Sequence, residues 1–163
     1  MRFPYSDLSK PAFIYGAVFL LANRMQTLGD RIDSAISTKQ WFVLAAVSKF
    51  KDAPPNIGDI ADLLGTSRQN IKKIANILER KGYLQLKKDP SDLRNVLLFL
   101  TDSCYDYFKS REKQENEYME RIFSDINDET QAALCRGMIK LIENIDNIMN
   151  ESADLERRAS KNE

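Results

Sequence analysis

The spacing of apolar positions changes several times along the chain, and each change marks a new element. Lys10-Pro11 opens a first helix, because proline is tolerated in a first turn. From Ala12 to Leu28 that helix is apolar on nearly every side, with Phe13, Ile14, Val18, Phe19, Leu20, Leu21 and Met25. A helix without a polar face needs burial all round, and in a chain this small a second subunit is the expected cover. Ser37 and Gln40 stand at capping-box spacing and start a second helix that continues from Trp41 to about Phe50. Asp52-Ala53-Pro54-Pro55 reads as a loop. Asn56 can cap a third helix with Ile57, Ile60, Ala61 and Leu64 on one face, and Gly65 ends it. Thr66 and Gln69 repeat the capping-box spacing and open a fourth helix that runs to Lys81, where Gly82 stops it. Two short helices joined by Leu64-Gly65-Thr66-Ser67 form a helix-turn-helix signature.

The period then drops to two. Tyr83 to Lys88 alternates, Asp89-Pro90-Ser91-Asp92 has turn chemistry, and Val96 to Leu100 returns as a second strand. The result is a β-hairpin with a polar tip. Thr101 caps a fifth helix, apolar first at Cys104, Tyr105 and Phe108 and then charged from Lys109 to Glu117, where solvation is expected. Asp128 and Gln131 are placed to cap a sixth helix. Its apolar positions Leu134, Met138, Leu141, Ile145 and Ile148 alternate four and three apart, as in a coiled-coil seam. With Phe13 and Leu20 they are the candidate dimer seam. The expected fold class is mainly α with a small β-hairpin wing: a winged helix-turn-helix over 37–100, and helical dimerisation regions over 1–36 and 101–150. The charged segment 151–163 is expected to be a flexible tail.

A wheel of the fourth helix separates two faces. With Ile71 at zero, Ile74, Ala75 and Leu78 fall within about 60° of it, and Gln69, Lys72, Lys73, Asn76 and Arg80 fall about 100–200° away. One face is core; the other carries only amides and cations. Amides pair with adenine edges, cations with guanine edges or phosphates, and an α-helix fits the major groove. Ser67, Arg68 and Asn70 belong to the first turn, which enters the groove first, and lie at the edges of the polar face. In the wing, Lys87, Lys88 and Arg94 surround a turn whose tip can reach the minor groove. The plainer alternative for Arg94 is a salt bridge within the loop to Asp92 or Asp89; the two readings are compatible, since a carboxylate could aim the guanidinium.

Charge sharpens this picture. The 163 residues carry no net charge, yet Thr66–Leu100 holds eight basic against three acidic residues. The segment from Thr101 on holds nine against fifteen. Phosphate is bound by a local face, so the segmental excess outweighs the neutral total. The chain has no histidine, which removes the commonest metal ligand and the commonest neutral-pH base. It also has no glycine-rich phosphate loop, nucleophile elbow or metal-ligand spacing, so neither an enzyme, a metal site nor a cofactor is expected. Cys104 and Cys135 follow no CxxC pattern and fall on apolar helix faces, where a buried, inert thiol is the usual state. No apolar stretch is long enough to span a membrane, and Asp7 and Lys10 interrupt any secretory signal, so a cytoplasmic location is expected.

With these elements in order, the chain resembles the multiple-antibiotic-resistance regulator (MarR) family of winged-helix transcription factors over roughly residues 10–150. The resemblance rests on Ser37-Thr38-Lys39-Gln40-Trp41-Phe42-Val43-Leu44, on Ile57-Gly58-Asp59-Ile60-Ala61-Asp62-Leu63-Leu64, and on Leu78-Glu79-Arg80-Lys81-Gly82-Tyr83. It rests most specifically on the wing Asp89-Pro90-Ser91-Asp92-Leu93-Arg94 with Leu100-Thr101 after it. Leu93 departs from the family's frequent second arginine, and Asn95 from a small apolar residue. The resemblance implies a homodimer on a near-palindromic operator of double-stranded DNA, with the fourth helix in the major groove and the wing in the flanking minor groove. It also implies repression relieved by a small, often aromatic, ligand bound between the dimerisation helices and the winged domain. Tyr15, Phe19, Trp41 and Phe42 are candidate pocket residues, though each also suits a plain core. Two other readings stand beside this one: a winged-helix protein-interaction module without DNA binding, and a redox regulator acting through a cysteine.

Overall fold

The computed structural model describes residues 7–159. Positions 1–6 of the expected N-terminal helical region and 160–163 of the expected tail lie outside the described residues. The order is α1 (Lys10–Ile32), α2 (Thr38–Val47), α3 (Ile57–Leu63), α4 (Arg68–Arg80), β1 (Leu84–Lys88), β2 (Val96–Leu100), α5 (Asp102–Ile122) and α6 (Asp128–Ala159). The mainly helical fold with one antiparallel hairpin is the expected class. The chain divides into two compact units, residues 1–110 and 111–163, with α5 running from the first into the second. Among the described residues no helix is long and apolar enough to cross a membrane.

The first unit is organised around one core. Val43, Leu44, Ala46 and Val47 of α2 meet Ile60 and Ala61 of α3, Ile71, Ala75 and Leu78 of α4, Leu84 and Leu98 of the hairpin, and Cys104 of α5. α1 contributes no buried residue; Phe13 and Leu20 are half-buried, and Ile14, Tyr15, Val18 and Phe19 are exposed. Its start follows the sequence: the Ser9 hydroxyl accepts from Ala12 N–H, and Pro11 sits in the first turn.

Both helix stops before the hairpin are glycine-driven. After α3 the Thr66 N–H reaches Ala61 O at 2.9 Å and Gly65 N–H reaches Asp62 O at 3.3 Å; after α4 Tyr83 N–H reaches Leu78 O at 3.0 Å and Gly82 N–H reaches Glu79 O at 2.9 Å. These paired bonds are Schellman closures, which need a left-handed residue. Gly65 at φ 60° and Gly82 at φ 81° supply it. β1 pairs with β2 from Leu84↔Leu100 to Lys88↔Val96. A third stub was not foreseen: Asn56 bridges Leu97, and Leu98 N–H donates to Pro55 O at 2.9 Å. The Pro-Pro segment expected as free loop therefore edges the hairpin.

Two caps differ from the expected residue. α4 is capped by Ser67, whose hydroxyl accepts from Asn70 N–H at 3.2 Å, and not by Thr66. Thr66 is already committed, since its N–H closes α3. α6 is capped by Asn127, which accepts from Thr130 N–H at 2.9 Å, one residue before Asp128. In the second unit α6 continues as helix to Ala159, so the segment from Glu151 is helical through that residue. The α6 seam residues Leu134, Met138, Leu141, Ile145 and Ile148 are all exposed, together with Ile139, Ile142 and Met149, which widen the apolar face beyond the expected stripe.

Candidate nucleic-acid interface

α4 is held by its core face and leaves the other face free. Ile71, Ala75 and Leu78 are buried and Ile74 is half-buried, while Gln69, Lys72, Lys73 and Asn76 are exposed along the opposite side. The wheel thus translates directly into geometry. In the first turn the predicted residues divide by role. Ser67 is the cap, and the Asn70 amide donates to Thr66 Oγ1 at 3.1 Å. Arg68 turns toward α3: a Cβ added to Gly58 would stand 3.1 Å from its Nη2 and 3.2 Å from its Nε.

At the wing tip Asp89 accepts from the Ser91 hydroxyl and N–H at 2.6 and 2.8 Å, which holds its carboxyl below the usual range. Asp92 grips Arg94 with two parallel bonds, Nε to Oδ1 and Nη2 to Oδ2, both 2.9 Å. The Arg94 guanidinium lowers the Asp92 carboxyl and the carboxylate raises the guanidinium in turn. The Arg94 side chain remains 90% exposed, so the pair fixes the direction of the cation without covering it. Of the other wing cations, Lys87 lies 4.9 Å over the Phe99 ring, on the outer face of the hairpin. Lys88 is exposed at the end of β1.

The structure brings Arg68, Gln69, Lys72 and Arg94 to one groove of about 530 Å³, between α3, α4 and the wing. The four pocket candidates form two ring pairs. Tyr15 and Phe19 meet edge-on at 5.2 Å on α1, and Trp41 and Phe42 lie 6.2 Å apart on α2. Trp41 is half-buried, and its indole N–H is enclosed without a partner among the described residues. The two cysteines part company. Cys104 is buried, which pushes its thiol up to about 11. Cys135 is exposed on α6, against the expectation of burial.

Sequence reasoning missed three contacts around the site. Tyr107 OH donates to Asp33, and Lys81 Nζ donates to Ala35 O, so the α1–α2 connection is tied to α5 and to the end of α4. Lys81 therefore has a tertiary partner. The Thr101 hydroxyl donates to Gly82 O at 2.6 Å and accepts from Cys104 N–H, fixing the hairpin to both flanking helices. The capping spacing reveals the second of these bonds; the first needs the fold.

Comparison with known proteins places this geometry. The model of the MarR family matches residues 36–94. The transcriptional activatory protein BadR of Rhodopseudomonas palustris is 32% identical over 93 residues, which cover 55% of this chain and 53% of that protein. The chain thus matches about half the length of that relative. A MarR protein from Peptoclostridium difficile superposes with a TM-score of 0.75 at 20% identity, over 90% of this chain and 94% of that one. The Staphylococcus aureus MepR–DNA complex gives 0.72 at 19% identity, over 80% and 97%. The family match falls on the helix-turn-helix and the wing that the capping, the Schellman turns and the Asp92–Arg94 pair have just defined: over residues 36–94 the chain is similar to the MarR family, and its fold is that of the solved MarR proteins.

Proposed function

We propose that this protein is a cytoplasmic transcription regulator that binds double-stranded DNA as a homodimer on a near-palindromic operator. The observation that carries the reading is the two-faced α4: Ile71, Ala75 and Leu78 anchor it while Gln69, Lys72, Lys73 and Asn76 are offered together to a groove. The exposed Arg94 beside it suits the narrow, negative minor groove. Lys73 adds charge on the same face, and Lys87 and Lys88 add charge on the hairpin. The exposed apolar residues of α1 and of α6 support dimerisation, since each helix shows a face that water does not favour. The S. aureus relative solved as a DNA complex shares the fold, which is consistent with this reading.

The test is fluorescence anisotropy with the promoter fragment upstream of the protein's own gene against a random duplex of equal length. Specific binding at low salt is expected, with Gln69→Ala reducing the preference between the two. Equal affinity for both duplexes would favour the protein-interaction module. A monomeric mass by light scattering at micromolar concentration would remove the dimer. For the sign of regulation we assign repression, because a dimer seated on a promoter competes with polymerase for the same duplex; a reporter fusion reads it directly. For release we assign a small aromatic ligand near Trp41, whose ring lies 6.2 Å from that of the exposed Phe42. Trp41 is the single tryptophan, so its emission reports a titration with aromatic acids.

A further inference from the structure

Arg68 has a direction that its place in the sequence does not explain. On the wheel it stands about 60° from Ile71, away from the face that carries Gln69 and Asn76. Its guanidinium lies against the bare backbone of Gly58, where a Cβ would crowd both Nη2 and Nε. Among the described residues no carboxylate stands at ion-pair distance from it. The groove it lines is closed on the far side by Arg94, which Asp92 holds in place, and has Lys72 and Gln69 on its α4 wall. Asp59 and Asp62 form the α3 wall; the Asp59 carboxylate is committed to Asn56 N–H at 2.8 Å.

When a helix lies in a major groove and a hairpin tip in the adjacent minor groove, one sugar-phosphate strand passes between them. In this chain the space between α4 and the wing is the groove with Arg68 on one wall and Arg94 on the other. We propose that Arg68 binds the DNA phosphate backbone in that groove and reads no base, and that Gly58 is its positioning residue, lacking a Cβ so that the guanidinium can lie back against α3. This rests on the DNA-binding reading and deepens it by dividing the labour of α4. Gln69, Lys72 and Asn76 face the bases, and Arg68 supplies a contact indifferent to sequence. A planar fork suits a phosphate oxygen pair better than a lysine does.

The experiment measures affinity for the promoter fragment and for a random duplex across a salt series with the full-length protein. Arg68→Ala is expected to weaken both by the same factor, leaving their ratio unchanged. It should also lower the slope of log affinity against log salt by about 0.9, the value of one phosphate contact. Arg68→Lys keeps most of that slope, in a chain whose Gly58 is untouched. Gly58→Ala should weaken both duplexes as Arg68→Ala does, and the double variant should bind no worse than Arg68→Ala alone. Melting curves show whether loss of the Asn56 cap, which also borders Gly58, contributes separately. A change in the promoter-to-random ratio with an unchanged salt slope would overturn the phosphate role. Full additivity of the two substitutions would overturn the positioning role. If the wild-type chain binds neither duplex, the DNA-binding reading itself falls and takes this one with it, a result distinct from the other two.

Discussion

Ser67 stands where a DNA contact and a helix cap compete for one hydroxyl, and a substitution separates them. The Oγ accepts from Asn70 N–H at 3.2 Å, and the residue has the extended backbone of an N-cap, φ −77° and ψ 146°. No acidic residue supports the first turn of α4, and the Asn70 side chain is turned back to Thr66. Removing the hydroxyl in Ser67→Ala leaves an exposed N–H to water, so the cost is that of an ordinary cap, about 1 kcal/mol. The first core anchor is Ile71, so only Arg68, Gln69 and Asn70 are free to fray. If those residues must re-form the turn on DNA, the same ~1 kcal/mol appears as roughly fivefold weaker binding. The expected fall in melting temperature is about 2–4 °C for a chain of this size. Ser67→Asn restores a capping oxygen and should recover both quantities. The assay is thermal unfolding by circular dichroism beside anisotropy with the promoter fragment. Two results refute the reasoning. If Ser67→Asn melts like wild type but binds as weakly as Ser67→Ala, the hydroxyl touches DNA itself. If Ser67→Ala melts earlier yet binds with undiminished affinity, the first turn of α4 is not at the interface.

Three further outcomes are expected. Leu78 is fully buried where α4 crosses the core, so Leu78→Ala should lower stability by about 2–5 kcal/mol, read by urea unfolding; a loss below about 1 kcal/mol would mean the core closes over the gap. The Asp30 carboxyl is held below its usual range chiefly by the Thr38 N–H at 2.6 Å, so it stabilises the native state above the ordinary carboxylate range and loses that effect as pH falls through its lowered value. Asp30→Asn should flatten this part of the acid-side melting profile, and an unchanged profile would remove Asp30 from the joint between α1 and α2. Cys104, buried and raised to about 11, should stay unreactive toward a thiol reagent at pH 8 until the chain unfolds; rapid labelling of two thiols in the native protein would contradict its burial.

The sequence made the winged helix-turn-helix legible because its elements are short and punctuated. Gly65 and Gly82 end helices where a left-handed residue is required, and Ile71, Ala75 and Leu78 leave only one face for polar residues. It misplaced the α4 cap by one residue because Thr66 and Ser67 can both cap; the decision is made by the Schellman bond that takes the Thr66 N–H for α3. The Asn56–Leu97 bridge left no trace in the pattern, since a single paired residue after two prolines has no alternation to detect. The side-chain direction of Arg68 was also hidden. Sequence spacing places a residue on a wheel, but only the neighbouring helix says that Gly58 leaves room for a guanidinium.

The neutral total charge of this chain and the proposed DNA-binding face are reconciled by how its carboxylates are used. Within the wing, Asp89 is spent on the Ser91 hydroxyl and N–H, and Asp92 on Arg94. Neither simply cancels a cation at the surface: Asp89 shapes the turn, and Asp92 orients a guanidinium that stays exposed. On α4, Glu79 lies in the last turns of the helix and accepts from Leu86 N–H at 3.0 Å, joining the helix to β1. The three acidic residues of the basic segment thus act as struts for the cations around them. The same economy extends to the ends of the module. Thr101 ties the hairpin to α5, and Lys81 ties the end of α4 to the α1–α2 connection. α4 and the wing are therefore fixed to one another by short bonds, and the end of α4 is held to the α1–α2 connection through Lys81.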